Sequence, residues 1–166
     1  MRPELFRAVI LDVPFLDVLT CLLDPEIPLS KTDYLEFGDP LTDPQIYELI
    51  SSYSPYENLQ RAEHPSVFLN LALNDPRVPG WSTLKFIEKL RDLSQPPKTV
   101  PHFGNNNMVV RVNKEGGHFG SHANDVNLFN SMQELAWLDF LMLNPTEDLG
   151  EAQRDWEDHM RKNKKL

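Results

Sequence analysis

Ser66-Val67-Phe68-Leu69-Asn70-Leu71-Ala72-Leu73 runs straight into Asn74-Asp75-Pro76-Arg77-Val78-Pro79, and Trp81 to Leu93 follows with apolar residues at helical spacing. The first run has the apolar character of a strand buried on both faces, and the third reads as an amphipathic helix. Strand, loop and helix in that order place Asp75 at the carboxyl end of a strand, where open α/β sheets keep their ligands. An acid and an arginine two residues apart on such a loop read as the acid corner of a catalytic site.

Working outward, Ala8-Val9-Ile10-Leu11 gives a second buried strand that ends near Val13-Pro14, after what reads as the last turn of a helix over Arg2 to Phe6. Phe15 to Leu23 is a short apolar helical segment, and Asp24 to Pro44 is a Pro-rich acidic excursion of the kind that shapes a pocket rim. Asp43-Pro44 is a helix start, with Asp as N-cap and Pro at the first helical position, and the helix ends in a turn at Ser54-Pro55-Tyr56. Beyond the Trp81 helix, Ser94 to Asn107 is a Pro- and Asn-rich surface connection, and Met108-Val109-Val110-Arg111-Val112 makes a third short strand. It leads into Asn113-Lys114-Glu115-Gly116-Gly117-His118-Phe119-Gly120, whose glycines permit a tight turn that leaves the imidazole free. Asp125 to Leu143, with Val126, Phe129, Met132, Leu135, Ala136, Leu138, Phe140 and Leu143, reads as a long helix packed on a sheet. The alternation implies about three parallel strands with flanking helices, over residues 1–143, followed by a charged tail at 144–166.

A chain of 166 residues with a formal charge of −9 fits one domain and argues against a nucleic-acid or anionic-membrane surface, while favouring a cationic ligand or substrate. Cys21 is the single cysteine and lies among Leu19, Leu22 and Leu23, so it reads as a small buried hydrophobe. No signal-peptide or membrane-length apolar segment is present in the 166 residues, which makes the cytosol the default compartment. No cofactor or metal is expected: His118 and His122 have i, i+4 spacing with Asp125 nearby, yet Gly117 and Gly120 argue against a helix that would align them. His64, His102 and His159 read as loop or surface residues, and Trp81, Phe86 and Trp137 as packing residues.

Asp75 and His118 each follow a strand, so they can meet at one sheet edge. Acid before histidine is the second half of the Ser, Asp, His order of α/β-hydrolases. The first half requires a serine on a sharp G-x-S-x-G elbow, and no serine here sits between glycines in that way; Ser121, in Phe119-Gly120-Ser121-His122, comes nearest but follows the histidine.

The chain resembles the carboxy-terminal part of the prolyl oligopeptidase family of serine peptidases, most closely its oligopeptidase B branch. The stretches that carry the resemblance are Arg2-Pro3-Glu4-Leu5-Phe6-Arg7-Ala8-Val9-Ile10, Val13-Pro14-Phe15-Leu16-Asp17-Val18, Ser52-Tyr53-Ser54-Pro55-Tyr56-Glu57-Asn58, Leu73-Asn74-Asp75-Pro76-Arg77-Val78-Pro79-Gly80-Trp81 and Gly116-Gly117-His118. It implies part of an α/β-hydrolase domain of a cytosolic peptidase that cuts short peptides and is gated by a β-propeller. By the family motif, Asp75 orients the catalytic imidazole, His118 is the general base, and Arg77 grips a peptide carbonyl. Asp33 matches the first of two glutamates that receive a basic side chain, and Leu35 stands where the second would be, which puts preference for Arg or Lys in doubt. The same resemblance puts the serine elbow and oxyanion hole just before Met1, so the chain alone is not expected to hydrolyse peptides. The first strand would then offer an open edge for self-association or for pairing with a full-length relative. Rival readings are a non-catalytic interaction or regulatory module with the hydrolase shell, and an esterase-like α/β-hydrolase.

Overall fold

In the computed structural model, which describes residues 5–94, 108–114, 116–120 and 124–143, the chain order is β1 (Ala8–Asp12), α1 (Val18–Leu22), α2 (Ser30–Phe37), α3 (Pro44–Tyr53), β2 (Ser66–Ala72), α4 (Gly80–Leu93), β3 (Met108–Asn113) and α5 (Asn124–Leu143). The three strands form one parallel sheet in the order β1-β2-β3. β2 holds the centre because every one of its residues is buried. Its side chains alternate between two layers, as a pleated strand requires. Val67, Leu69 and Leu71 pack against Phe86, Ile87 and Leu90 of α4, while Phe68 meets Trp137 and Leu141 of α5, its ring edge-on to the indole at 5.5 Å between centroids. Each fully buried side chain of this size contributes about 1.5–3 kcal/mol of burial free energy, so the two layers hold the sheet from both sides.

A third cluster, Val18, Leu19, Leu22 and Ile50, joins α1 to α3 and gathers Tyr34 and Phe37 of α2 against it. The Asp43 start is as the sequence indicates: its carboxylate accepts from Gln45 N–H at 2.8 Å, with Pro44 beside it. Helix α2 is a regular element inside the excursion over residues 24–44 that the sequence reading did not assign. Ser30–Phe37 has no apolar stripe to announce it and is fixed by tertiary bonds, Ser30 Oγ to Cys21 O at 2.7 Å and Tyr34 Oη to Leu22 O at 2.8 Å. It stops at Gly38, whose φ of +86° suits glycine alone and where a Cβ would lie 2.8 Å from Ile46 Cγ2.

Helix α5 also departs from expectation. Its sheet-facing stripe is Asn130, Glu134, Trp137 and Leu141, at spacings of four, three and four, and Val126, Phe129, Met132 and Leu135 are exposed. Apolar residues surround this helix, and a sheet of three strands covers only one stripe. The stripe was set by polar partners. Asp12, Asn70 and Arg111 lie opposite one another in register on the α5 face at the last rung that all three strands share. Asn70 Nδ2 donates to Asp12 Oδ1 and to Glu134 Oε1, and Arg111 donates to Glu134 Oε1 at 2.6 Å and to Asn130 O at 2.8 Å. Trp81 is half exposed, whereas Phe86 and Trp137 are buried as expected. Cys21 is buried too, and burial pushes its thiol up to about 12. The reading of Arg2 to Phe6 as a helical turn falls largely outside the described residues, as does the tail at 144–166. Among the described residues no helix is long and apolar enough to cross a membrane.

The start of α1 is fastened to α4 by an ion pair whose acid is buried. Lys85 Nζ donates to Asp17 Oδ2 at 2.7 Å and to Thr20 Oγ1 at 3.1 Å, and it sits 4.1 Å from the centroid of the Tyr56 ring. The Asp17 side chain is fully buried. Desolvation pulls the lysine pKa down, but the hydrogen bond and charge of Asp17 outweigh it and hold the value above the usual 10.5. Lys85→Met orphans a buried carboxylate and is expected to lower stability by about 2–3 kcal/mol in urea unfolding, the modest end of the range because Lys85 keeps solvent access. A pKa raised on folding stabilises the protein fully below pH 10.5 and is lost as pH rises through the folded value. The wild-type chain should therefore lose stability above that pH more steeply than the Met variant.

Candidate active site

β2 and β3 pair in parallel up to Ala72 and Asn113, so the loops that leave them start side by side. The acid loop turns on its own carboxylate: Asp75 Oδ1 accepts from Arg77 N–H at 2.8 Å and from Val78 N–H at 3.0 Å, the local bonding that suits an Asn-Asp-Pro turn. The other oxygen, Oδ2, is left for the neighbouring loop. His118 Nδ1 lies 2.8 Å from it, with the Asp75 side chain fully buried and the imidazole about a fifth exposed. Both carboxylate oxygens act as acceptors, so Nδ1 carries the proton and Nε2 of the neutral ring is the basic nitrogen.

The histidine loop is equally local in origin. Asn113 Oδ1 accepts from Gly116 N–H at 2.8 Å, Gly120 N–H donates to Gly117 O at 3.0 Å, and Gly120 takes a φ of +81°. A Cβ on Gly116 would stand 2.6 Å from Gly120 O, so the ring of backbone around His118 closes only with glycine there.

Of the four residues singled out in the sequence, Asp75 and His118 are in contact, and Arg77 lies beside them. Its guanidinium sits 5.1 Å from the centroid of the Phe119 ring, and that ring stands edge-on to His118. Asp33, in the first turn of α2, belongs to the same electrostatic neighbourhood. Its carboxyl is held above the usual 3.8 by partial burial and by the Glu36 charge, with Arg77 opposing both. Leu35 points into solvent, and the second acid that acts on Asp33 is Glu36. Phe119 is a contributor that the sequence reading passed over, since nothing in a lone aromatic after Gly-Gly-His shows that it is four-fifths exposed and under an arginine. A cavity of about 590 Å³ opens beside the imidazole, lined by His118, Phe119, Asp12, Asn70, Arg111 and Glu134 among others. Among the described residues no group of three or more His, Cys, Asp or Glu could hold a metal ion, and His122 lies outside them.

The model of the prolyl oligopeptidase family matches residues 1–143. The chain belongs to this family. It is 39% identical over 120 residues, 72% of its length, to dipeptidyl aminopeptidase BI of Pseudoxanthomonas mexicana, and 36% identical over 136 residues, 82% of its length, to protease 2 of Moraxella lacunata. The structure of oligopeptidase B from Leishmania major superposes with a TM-score of 0.78 at 31% identity and covers 90% of the chain. The three parallel strands with flanking helices are thus a portion of an α/β-hydrolase domain, and the likeness to the oligopeptidase B branch holds in three dimensions. The chain spans only 15%, 18% and 19% of the lengths of these three proteins.

The Asp33 environment gives a direct test of its place at the site. Arg77→Ala removes the charge that opposes the upward shift and should raise the Asp33 pKa further, whereas Glu36→Gln removes a like charge and should lower it. Carboxyl titration by NMR reads both. An Asp33 that responds to neither substitution would not share the neighbourhood of Arg77.

Proposed function

We propose that the chain supplies the acid and the general base of a serine peptidase site acting on short peptides. His118 is the base, Asp75 holds its ring and tautomer, Arg77 contacts a peptide carbonyl, and Asp33 contacts a basic side chain. The observation that carries this reading is the 2.8 Å contact of His118 Nδ1 with Asp75 Oδ2, made between the loops that follow adjacent parallel strands. With its Nδ1 proton committed to the carboxylate, the imidazole offers Nε2 to a serine hydroxyl, takes its proton during attack, and returns it to the leaving amine. Asp75 stabilises the imidazolium formed in between. The net charge of −9 favours approach by a cationic peptide.

The serine belongs on a G-x-S-x-G turn, which the 166 residues do not contain, and the amide that follows it would provide part of the oxyanion hole. Each of these is worth several powers of ten in rate, so the chain by itself hydrolyses peptides negligibly. A second reading rests on the exposed apolar side chains of α5 and on β1, which is hydrogen-bonded on one side only among the described strands. Those surfaces suit a non-catalytic module that self-associates or pairs with a full-length relative through the β1 edge.

Sequencing the transcript upstream of the Met1 codon separates the two. Should the frame continue into a serine elbow, the complete product should react with a fluorophosphonate probe, and Asp75→Asn or His118→Ala should lower peptide hydrolysis on the order of 10³-fold or more. Full hydrolysis by either variant would sink the triad assignment. A stop codon close upstream, together with co-purification of a larger propeller-bearing chain, would favour the interaction module.

A further inference from the structure

We infer that Asn74 and Asn113 are positioning residues, a pair of side-chain clamps that hold the histidine loop where Nδ1 of His118 reaches Asp75. The inference rests on the assignment of Asp75 and His118 under Proposed function. The bond between those residues joins two loops that must each stay at a fixed distance from the other. The strand register aligns the loops only as far as Ala72 and Asn113, and Leu73 N–H donating to Asn113 O at 2.9 Å is the last backbone bond of the ladder. His118 lies five residues further on, across two glycines. Regular pairing cannot set its position over that distance.

Two asparagines continue the connection. Asn74 Nδ2, from the residue before the catalytic acid, reaches across and donates to Lys114 O at 2.9 Å. Asn113 Oδ1 accepts from Gly116 N–H at 2.8 Å and folds the loop back on its own strand. The backbone partners fix which end of each amide is used, because a carbonyl can only accept and an N–H can only donate. Asn74 therefore acts through its amino group and Asn113 through its oxygen. The first clamp ties the histidine loop to the acid loop, and the second sets the turn that presents the imidazole. Both bonds are made to the main chain of the histidine loop. Their effect passes through backbone, and the close approach of Gly116 to Gly120 O leaves that backbone little room to take another path.

The opposite use of the two amides makes the inference testable with one isosteric change. Aspartate keeps the acceptor that Asn113 needs and removes the donor that Asn74 needs. The readout is the hydrogen-bonded Nδ1–H proton of His118 in the NMR spectrum of the 166-residue chain, with its solvent-exchange rate, and it requires no catalysis. Asn113→Asp, which keeps the acceptor for Gly116 N–H, should disturb exchange several-fold less than Asn74→Asp, which should accelerate it on the order of tenfold or abolish the signal, as should Asn113→Ala. General loss of stability would not produce this pattern, since the two aspartate variants carry the same change of charge. Thermal unfolding by circular dichroism confirms that each variant is folded, and an unfolded Asn113→Ala leaves the two aspartate variants to decide. Wild-type exchange rates in Asn74→Asp, or equal losses in both aspartate variants, would overturn the clamps and leave the Asp75 to His118 contact standing. Absence of the Nδ1–H resonance from the folded wild-type chain would overturn that contact and the clamps with it.

Discussion

Parallel pairing of β2 with β3 is the constraint on which the site depends. In a parallel pair both strands finish at the same edge, so the loops after Ala72 and Asn113 emerge as neighbours although they are some forty residues apart in sequence. An antiparallel arrangement would have put Asp75 and His118 at opposite ends of the sheet. The pairing is secured from both faces, by Leu69 and Leu71 on α4 and by Phe68 on Trp137 and Leu141 of α5. Burial of this kind is non-directional, and it fixes where the sheet sits. The directional part of the site, the placing of one imidazole nitrogen against one carboxylate oxygen, falls to hydrogen bonds within the loops.

The polar row at the end of the sheet links these two levels. Asp12, Asn70 and Arg111 occupy one rung, and Glu134 of α5 accepts from both Asn70 and Arg111. A helix with apolar residues on every side could rotate about its axis and still bury something. The partly buried Glu134 carboxylate and Arg111 guanidinium restrict that freedom, since any other rotation would separate them and leave the buried Asn70 amide without its Glu134 partner. The row thereby chooses which stripe of α5 faces the sheet, and α5 is the element into which the histidine loop runs. At the exit of β1, Val13 has a φ of +37°, a rare value for a β-branched residue and a cost of about 1–3 kcal/mol, while its N–H still donates to Asn70 O at 2.9 Å. Strain there borders the same cavity as His118.

Much of this was legible in the sequence, for physical reasons that vary by element. The strands were visible because a centrally buried strand is apolar on both faces, as in Ser66 to Ala72, and α3 because Asp43-Pro44 is a local start signal that needs no tertiary help. The Asp75 and His118 pair was legible because chain order and parallel topology together carry the two loops to one edge. Helix α2 was not, since Ser30–Phe37 has no periodic apolar pattern and is held by hydroxyl bonds to the carbonyls of Cys21 and Leu22. The orientation of α5 was misread for the opposite reason: its apolar residues were too many to choose among, and Asn130 and Glu134, which mark the packed stripe, look like surface residues in a linear sequence.

The site also illustrates how one short stretch can serve several demands. Asp75 spends one oxygen on the two backbone amides that shape its own loop and keeps the other for His118, so the same carboxylate builds the turn and orients the ring. Alanine at this position would remove the turn as well as the partner, and loss of function would not distinguish the two. Asparagine keeps an oxygen for the turn and presents an amide nitrogen or a weaker acceptor to Nδ1, which favours the wrong tautomer of the ring. Because the loop-building oxygen and the orienting oxygen are separate atoms, the isosteric variant isolates the electrostatic contribution of the acid from its structural one. The same logic governs Arg77, whose backbone N–H belongs to the turn while its guanidinium rests near Phe119. In this loop, main chain and side chain of a single residue answer to different requirements, and a compact Asn-Asp-Pro-Arg sequence can therefore frame the candidate site and also present side chains to His118 and Phe119.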